Sequence, residues 1–400
     1  MEVKRAAEVI IIGAGVTGTS IAYHLAKAGC RDVVVLEKDL VGEGSSCKSG
    51  GGVRQQFCSE ANVRLSIESV KFFQHFEEET GCDCEFKQVG YLMVMTNEKE
   101  LETFRESAAM QRSLGVDVQM ISPQEARDVV PALNIDDVIG ATFCPTDGRL
   151  NDYALTQGFA TAGRRLGVKI YQHVEVTGIE MTGSTKKLST NEGSFESPHL
   201  VAAAGAFSPR LGRLIGLRIP AKAVKQHGFF TVPTNELRRD APHIIDATSH
   251  LGVSKHSEHV RFSVREHERP ETFDISIEWD ALPKYAEVVV QRLPFMENVG
   301  IQTAHAGLKS NTPDLSAITG DVPGFEGLYL ACGCSGHGIM HSPAIGRLMA
   351  NLILSGNCPE LLPFNIGRFG TGAYQQEDRW DTGHSGLGPE CLQAEGGHVA

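Results

Sequence analysis

Apolar residues follow two different rhythms along this chain. Val9-Ile10-Ile11-Ile12 and Val33-Val34-Val35-Leu36 are short unbroken apolar runs, the pattern of strands buried on both faces. Between them lie a glycine-rich turn and a helical stretch, 19–28, that ends at Gly29. Strand, turn, helix and strand in that order predict a βαβ unit on a parallel sheet. Residues 59–80 carry an apolar stripe at Val63, Ile67, Val70, Phe73 and Phe76 and predict a helix. A strand is predicted at Tyr91-Leu92-Met93-Val94-Met95 and a helix over 98–114. Ser122-Pro123-Gln124-Glu125 reads as an N-cap with a charged first turn. A further helix is predicted over 153–166, with strands near 168–180 and 199–204. From about 223 to 304 the rhythm changes to strict alternation, as in Val260-Arg261-Phe262-Ser263-Val264, which predicts an antiparallel sheet. A buried strand at 328–332 and a helix over 342–354 follow. Residues 371–400 are glycine-rich, polar and aperiodic, and predict a disordered tail. No internal repeat is visible.

The 400 residues are enough for two or three domains, and 41% hydrophobic with 22% charged residues is a globular balance. A formal charge of -12 argues against a general binder of nucleic acid or anionic membrane. No apolar run reaches the roughly 18 residues of a membrane span. The first strand begins near Glu8, so no signal peptide is expected, and the 10 scattered cysteines read as reduced thiols in a cytoplasmic compartment. The 43 glycines are the compositional excess, and their positions carry the chemistry.

Gly13-x-Gly15-x-x-Gly18 opens the first helix, and Glu37 ends the next strand, 19 residues after Gly18. The first glycine permits the tight turn, the second lets backbone approach a pyrophosphate, and the third lets helix and strand pack closely. The helix N-terminus offers N–H groups and partial positive charge to phosphates, and the acid can accept ribose hydroxyls. This context predicts dinucleotide binding. Only one such fingerprint is present. A second glycine-rich stretch, Cys332-Gly333-Cys334-Ser335-Gly336-His337-Gly338-Ile339-Met340, immediately precedes a helix and is a second place for backbone to meet a ligand.

With these segments, the chain resembles the FAD-dependent amino-acid and amine oxidoreductases of the D-amino-acid-oxidase superfamily. It is similar to glycine oxidase, sarcosine oxidase and the β subunits of hetero-oligomeric sarcosine oxidases and proline dehydrogenases. The resemblance covers about residues 8–370. It is carried also by the segment 44–57, by Val201-Ala202-Ala203-Ala204-Gly205-Ala206-Phe207-Ser208, by Ala306-Gly307-Leu308-Lys309-Ser310-Asn311-Thr312-Pro313-Asp314, and by residues 335–340.

The resemblance implies an α/β architecture: a Rossmann-like FAD-binding domain (1–88, 143–222 and 307–370), interrupted by a discontinuous antiparallel-sheet substrate domain (89–142 and 223–306). It implies that Gly13, Gly15, Val16, Thr17, Gly18, Glu37 and Lys38 meet the adenosine and pyrophosphate end of FAD. Ser45, Ser46, Ser49, Gly50, Gly51 and Gly52 match the loop lining pyrophosphate, ribityl chain and flavin. Val174 matches the strand at the adenine, and Ala204 and Gly205 a second close backbone approach. Gly336, His337, Gly338, Ile339 and Met340 match the pyrimidine side of the flavin. Arg54 resembles an arginine near the flavin, and Lys309 stands where relatives carry an arginine that clamps the substrate carboxylate.

Two departures matter. No cysteine stands near Gly307, where monomeric sarcosine oxidases attach their flavin, so FAD is expected to be non-covalent. Met340 stands where those enzymes have a carboxylate-binding lysine, which favours a dehydrogenase-like β subunit. The implied reaction is oxidation of a sarcosine-, glycine- or proline-like substrate by hydride transfer to flavin N5, with oxygen or a partner redox subunit as acceptor. Alternatives are a hydroxy-acid dehydrogenase of the same superfamily and a flavin-bearing assembly factor without turnover. Arg54, Lys309 and His227 are the candidate catalytic residues. Among the other histidines, His250, His256, His259 and His267 show no metal-ligand spacing, and no metal site is expected. Asp147-Gly148-Arg149 reads as a structural turn.

Overall fold

The computed structural model describes residues 4–266, 269–372 and 377. The apolar runs form the centre of a six-stranded sheet. Val9–Ile12 lies between Val33–Leu36 and His199–Ala202, parallel to both, with Val9 opposite Val33 and His199. The sheet continues to Lys169–Tyr171 on one side and to Phe325–Cys332 and Ile318–Val322 on the other; this last pair is antiparallel. All eight residues of the two apolar runs are buried, because helices pack on one face and a four-stranded sheet and loops cover the other.

Four helices matter for the site: α1 (Val16–Lys27), α2 (Glu60–Gln74), α3 (Asp152–Arg165) and α4 (Gly338–Ser355). The helix expected over 59–80 is two helices, broken at His75. α1 and α4 cross closely at Gly346, where a Cβ would overlap Ser20 Oγ and lie 2.8 Å from His24 Nδ1. Ser20 Oγ donates to Ser342 O across the crossing (2.8 Å). This contact brings the first turns of the two helices together. A Cβ on Gly338 would stand 4.0 Å from Thr17 Oγ1.

The alternating region builds an eight-stranded sheet from residues 91–144 and 222–311. Its pairings are antiparallel except one: His243–Asp246 runs parallel to Tyr91–Met95. A parallel pair needs a long connection, and these strands come from the two separate chain segments that share the sheet. The strand Ile301–Asn311 runs through the boundary expected at 306/307, because its pairing with Lys222–Thr231 continues through Lys309 opposite Val224. Of the expected tail, only 371, 372 and 377 are among the described residues. Glu377 is buried, and its carboxylate accepts from Cys58 N, Ser59 N (3.1 Å) and Asn62 Nδ2 (2.9 Å) at the start of α2. His267 lies outside the described residues.

Gly346→Val is expected to force α1 and α4 apart and lower the unfolding free energy by about 3 kcal/mol, an overpacking cost. Urea denaturation measures it; an unchanged midpoint would contradict the close crossing.

Candidate functional site

The turn after Val9–Ile12 accounts for the glycine spacing. Gly13 has φ +106°, and a Cβ there would lie 2.5 Å from Ala203 O and 3.1 Å from Ala204 Cα. A Cβ on Gly18 would overlap Gly13 O. Gly13 therefore lies against Ala203-Ala204, beside Gly205 in its left-handed conformation (φ +52°). Glu37 accepts from Ala14 N with Oε2 (2.7 Å) and from Asp39 N with Oε1 (2.9 Å), so the acid is fixed directly beside the glycine turn. Val174 N donates to Glu37 O (2.8 Å), which brings the expected adenine strand to the expected ribose acid. Lys38 is exposed; it pairs with Asp39 (2.6 Å) and its Nζ lies 4.5 Å from the Phe207 ring centroid.

The second glycine loop joins the first. Ser46 Oγ accepts from Val16 N (2.9 Å) in the first turn of α1. Ser45 is exposed. Ser49 N and Oγ both donate to Asp152 Oδ2 (3.1 and 2.7 Å) at the start of α3, and Gly51 N donates to Ser49 Oγ (3.0 Å). Gly50 and Gly52 run against the eight-stranded sheet: a Cβ on Gly50 would lie 2.8 Å from Arg261 Nη1, and one on Gly52 2.9 Å from Tyr91 Oη.

Neither α1 nor α4 has a side-chain N-cap bond or an acidic residue in its first turn. Two adjacent helix starts thus present backbone N–H groups and partial positive charge. Together with the backbone approaches at Gly13 and Gly15 and the fixed Glu37, this donor set fits an extended dinucleotide with its pyrophosphate at α1. Among the described residues no group of three or more His, Cys, Asp or Glu side chains could hold a metal ion.

A cavity of about 150 Å³ lies between this region and the eight-stranded sheet. Arg54, Lys309, Gly336, His337 and Met340 line it, together with Tyr91, Gln226 and His243. Arg54 is buried; its Nη2 lies 3.0 Å from His337 Nε2 and its Nη1 donates to Gln56 O (3.1 Å). The guanidinium carbon sits 4.4 Å from the Phe57 ring centroid, a cation–π distance. Gly336 (φ +93°) lies beside the Lys309 stem, 3.3 Å from a built Cβ to Cε. Ile339 is buried one position before Met340 but does not line the cavity.

His227 must be corrected. Side chains alternate across a strand. Gln226, opposite Gly307, faces the cavity; His227, opposite Ala306, faces the other side of the sheet. There its Nε2 accepts from Glu278 N (3.2 Å) and its ring stacks on Phe229. It is not placed to touch a substrate in the cavity.

Three buried groups are not legible in the sequence pattern. Arg261 is buried on the cavity face of the sheet, its Nε without a partner, and desolvation lowers its pKa to about 10. His243 stacks flat on Tyr91 (4.4 Å) nearby, held well below its usual pKa by desolvation and then by Arg261. In Val260-Arg261-Phe262 the arginine occupies the polar phase of the alternation and reads as solvent-facing. Only the glycine loop laid over it shows otherwise. Asp147 stands in a segment that reads as a structural turn, yet its carboxyl is fully buried, with a pKa raised to about 6 by desolvation.

Comparison with known proteins agrees with this architecture. Residues 8–352 match the family described as FAD dependent oxidoreductase (DAO). The L-proline dehydrogenase of P. horikoshii superposes with a TM-score of 0.87 at 31% identity, over 93% of this chain and 100% of that one. Glycine oxidase of Geobacillus kaustophilus superposes at 0.81 with 26% identity, over 90% and 98%. Dimethylglycine dehydrogenase of Rattus norvegicus is 28% identical over 94% of this chain and 46% of its own length. The chain spans about half the length of the first such curated relatives. No helix among the described residues is long and apolar enough to cross a membrane.

Four buried or half-buried histidines generate a pH dependence. Desolvation holds His24 and His305 down to about 4 and His256 and His341 down to about 3. Their folded values lie below the unfolded value of 6.5. The stability they contribute is therefore present above 6.5 and lost as pH falls towards the folded values. Each can cost up to about 1.4 kcal/mol per pH unit. The thermal midpoint should fall steeply between pH 7 and pH 5; a flat profile over that window would show that these rings protonate in the folded protein.

Proposed function

The chain belongs to the FAD-dependent oxidoreductase family, and on that premise we propose that it oxidises the C–N bond of a small amino acid or N-alkyl amino acid. The observation that carries this reading is the meeting of Arg54 and Lys309, 255 positions apart in sequence, on one small cavity beside the helix start at Gly338. A guanidinium and an amine side chain in a partly desolvated space suit a carboxylate, and the small volume suits a small amino acid. The relatives named above, which act by name on proline, glycine and dimethylglycine, support the substrate class.

The residues divide the work. Residues 13–18, Glu37 and Val174 hold the adenosine and pyrophosphate of FAD; residues 45–52, Ala204, Gly205 and 336–340 surround the rest, without a covalent link. FAD bound there supplies the hydride acceptor. Arg54 and Lys309 fix the substrate carboxylate, so the neighbouring carbon is presented in one orientation. The start of α4 would place positive potential beside the flavin, and the start of α1 beside the pyrophosphate. The division into an FAD-binding domain (1–88, 143–222 and 307–370) and a substrate domain belongs to this proposal, with the substrate sheet extended through Asn311. We place the protein in the cytoplasm, on the strength of nine cysteines that form no disulfide with one another among the described residues. Two of the three relatives above are dehydrogenases, which supports transfer of electrons to a partner redox subunit rather than to oxygen.

Anaerobic addition of sarcosine, glycine or proline is expected to bleach the bound flavin. Lys309→Met should raise KM for the active substrate by at least about tenfold, with FAD content unchanged, because one of two charge-assisted contacts is lost. Reduction by a hydroxy acid alone would transfer the reading to that class. Retained FAD with no reduction by any of these would favour a non-catalytic flavoprotein. Reoxidation by air within seconds would overturn the dehydrogenase assignment.

A further inference from the structure

We propose that Asp147 is a positioning residue for substrate binding: its buried carboxylate holds the segment that aims Arg54 into the cavity. The proposal rests on the reading of that cavity as a carboxylate site.

Arg54 lies in a short stretch of chain that is pinned on both sides. Before it, Gly52–Val53 pairs with Gly148–Arg149, Val53 opposite Gly148. After it, Asp147 Oδ1 accepts from Gln55 N (2.8 Å) and Gln55 Nε2 (3.0 Å), and Oδ2 accepts from Gln56 Nε2 (3.0 Å). Gln56 is held further by Thr142 Oγ1, which donates to its Oε1 (2.6 Å), and by Tyr91 O, which accepts from its Nε2 (3.1 Å). The carbonyl of Gln56 is in turn an acceptor for Arg54 Nη1 (3.1 Å). A continuous path therefore runs from the Asp147 carboxylate through Gln56 to the guanidinium.

The choice of a charged residue follows from the donor count. Three N–H groups converge on two oxygens, and an ionised acceptor makes hydrogen bonds about twice as strong as a neutral one. An amide of the same shape has one oxygen and one NH2, and would set a donor against a donor at Gln55 or Gln56. No part of Asp147 reaches the cavity, and it is absent from the lining. Its effect on a ligand passes through Arg54.

The test uses the FAD-loaded protein at pH 8, with acetate as the probe and the flavin visible spectrum as the readout. Asp147→Asn is expected to weaken acetate about tenfold at unchanged FAD content. In an Arg54→Met background the same change should add nothing, because the path to the ligand is already cut. A general loss of structure would weaken binding in both backgrounds. Should Asp147→Asn not fold, Gln56→Met removes the same link at its next member, with the same two outcomes expected. Equal acetate affinity in wild type and the loaded single variant overturns the positioning role alone, as does an undiminished effect without Arg54. Absence of any acetate response in the wild type overturns the carboxylate reading of the cavity, and this proposal with it.

Discussion

The close crossing of α1 and α4 is the constraint on which the rest of the site depends. Only glycine at 346 lets Ser20 reach Ser342 O, and that contact sets the two helix starts side by side. Neither start has a side-chain N-cap or an acidic residue in its first turn, and Ser46 Oγ meets only the Val16 N–H at the first, so both ends keep positive potential. A six-stranded sheet supplies the first start through the turn at Gly13. The return of the chain through Phe325–Cys332 supplies the second. Two polar helix ends at one point cost stability unless a ligand completes them, and this is the physical sense in which the fold is built around an anionic cofactor.

The eight-stranded sheet answers this centre with a face of its own. Lys309, Gln226, Arg261 and His243 stand on it, and the glycine loop 50–52 lies against Arg261, His243 and Tyr91 without side chains. The histidines on this face are held neutral at ordinary pH, and Arg54, Lys309 and Arg261 are the basic side chains beside them. The site therefore combines a desolvated wall with basic side chains. Such an arrangement attracts a carboxylate and excludes much of the water that would screen it.

Much of this was legible in the sequence, for local reasons. The βαβ unit, its glycines and Glu37 lie within 29 residues, where strand, turn and helix periodicities fix geometry directly. The resemblance places Arg54, Lys309 and residues 336–340 in one region, and of these Arg54, Lys309, Gly336, His337 and Met340 line one cavity. His227 went wrong by a single strand position. Its neighbour Gln226 faces the cavity, and a pattern alternating every two residues gives no sign of which phase lies inside when both are covered. Arg261 and Asp147 were invisible for a related reason. A charged residue among alternating strand positions, or in a turn, looks exposed until another segment is laid over it. For Arg261 that segment is the loop at Gly50; for Asp147 it is Gln55-Gln56.

A crystal structure of the FAD-loaded protein with a bound, unreactive carboxylate tests the central claim most directly. The expected result is the pyrophosphate at the N–H groups that open α1, the flavin ring against residues 336–340, and the carboxylate within hydrogen-bond distance of Arg54 or Lys309. A flavin bound away from the α4 start, or a carboxylate seated elsewhere with Arg54 and Lys309 both turned from it, would contradict it.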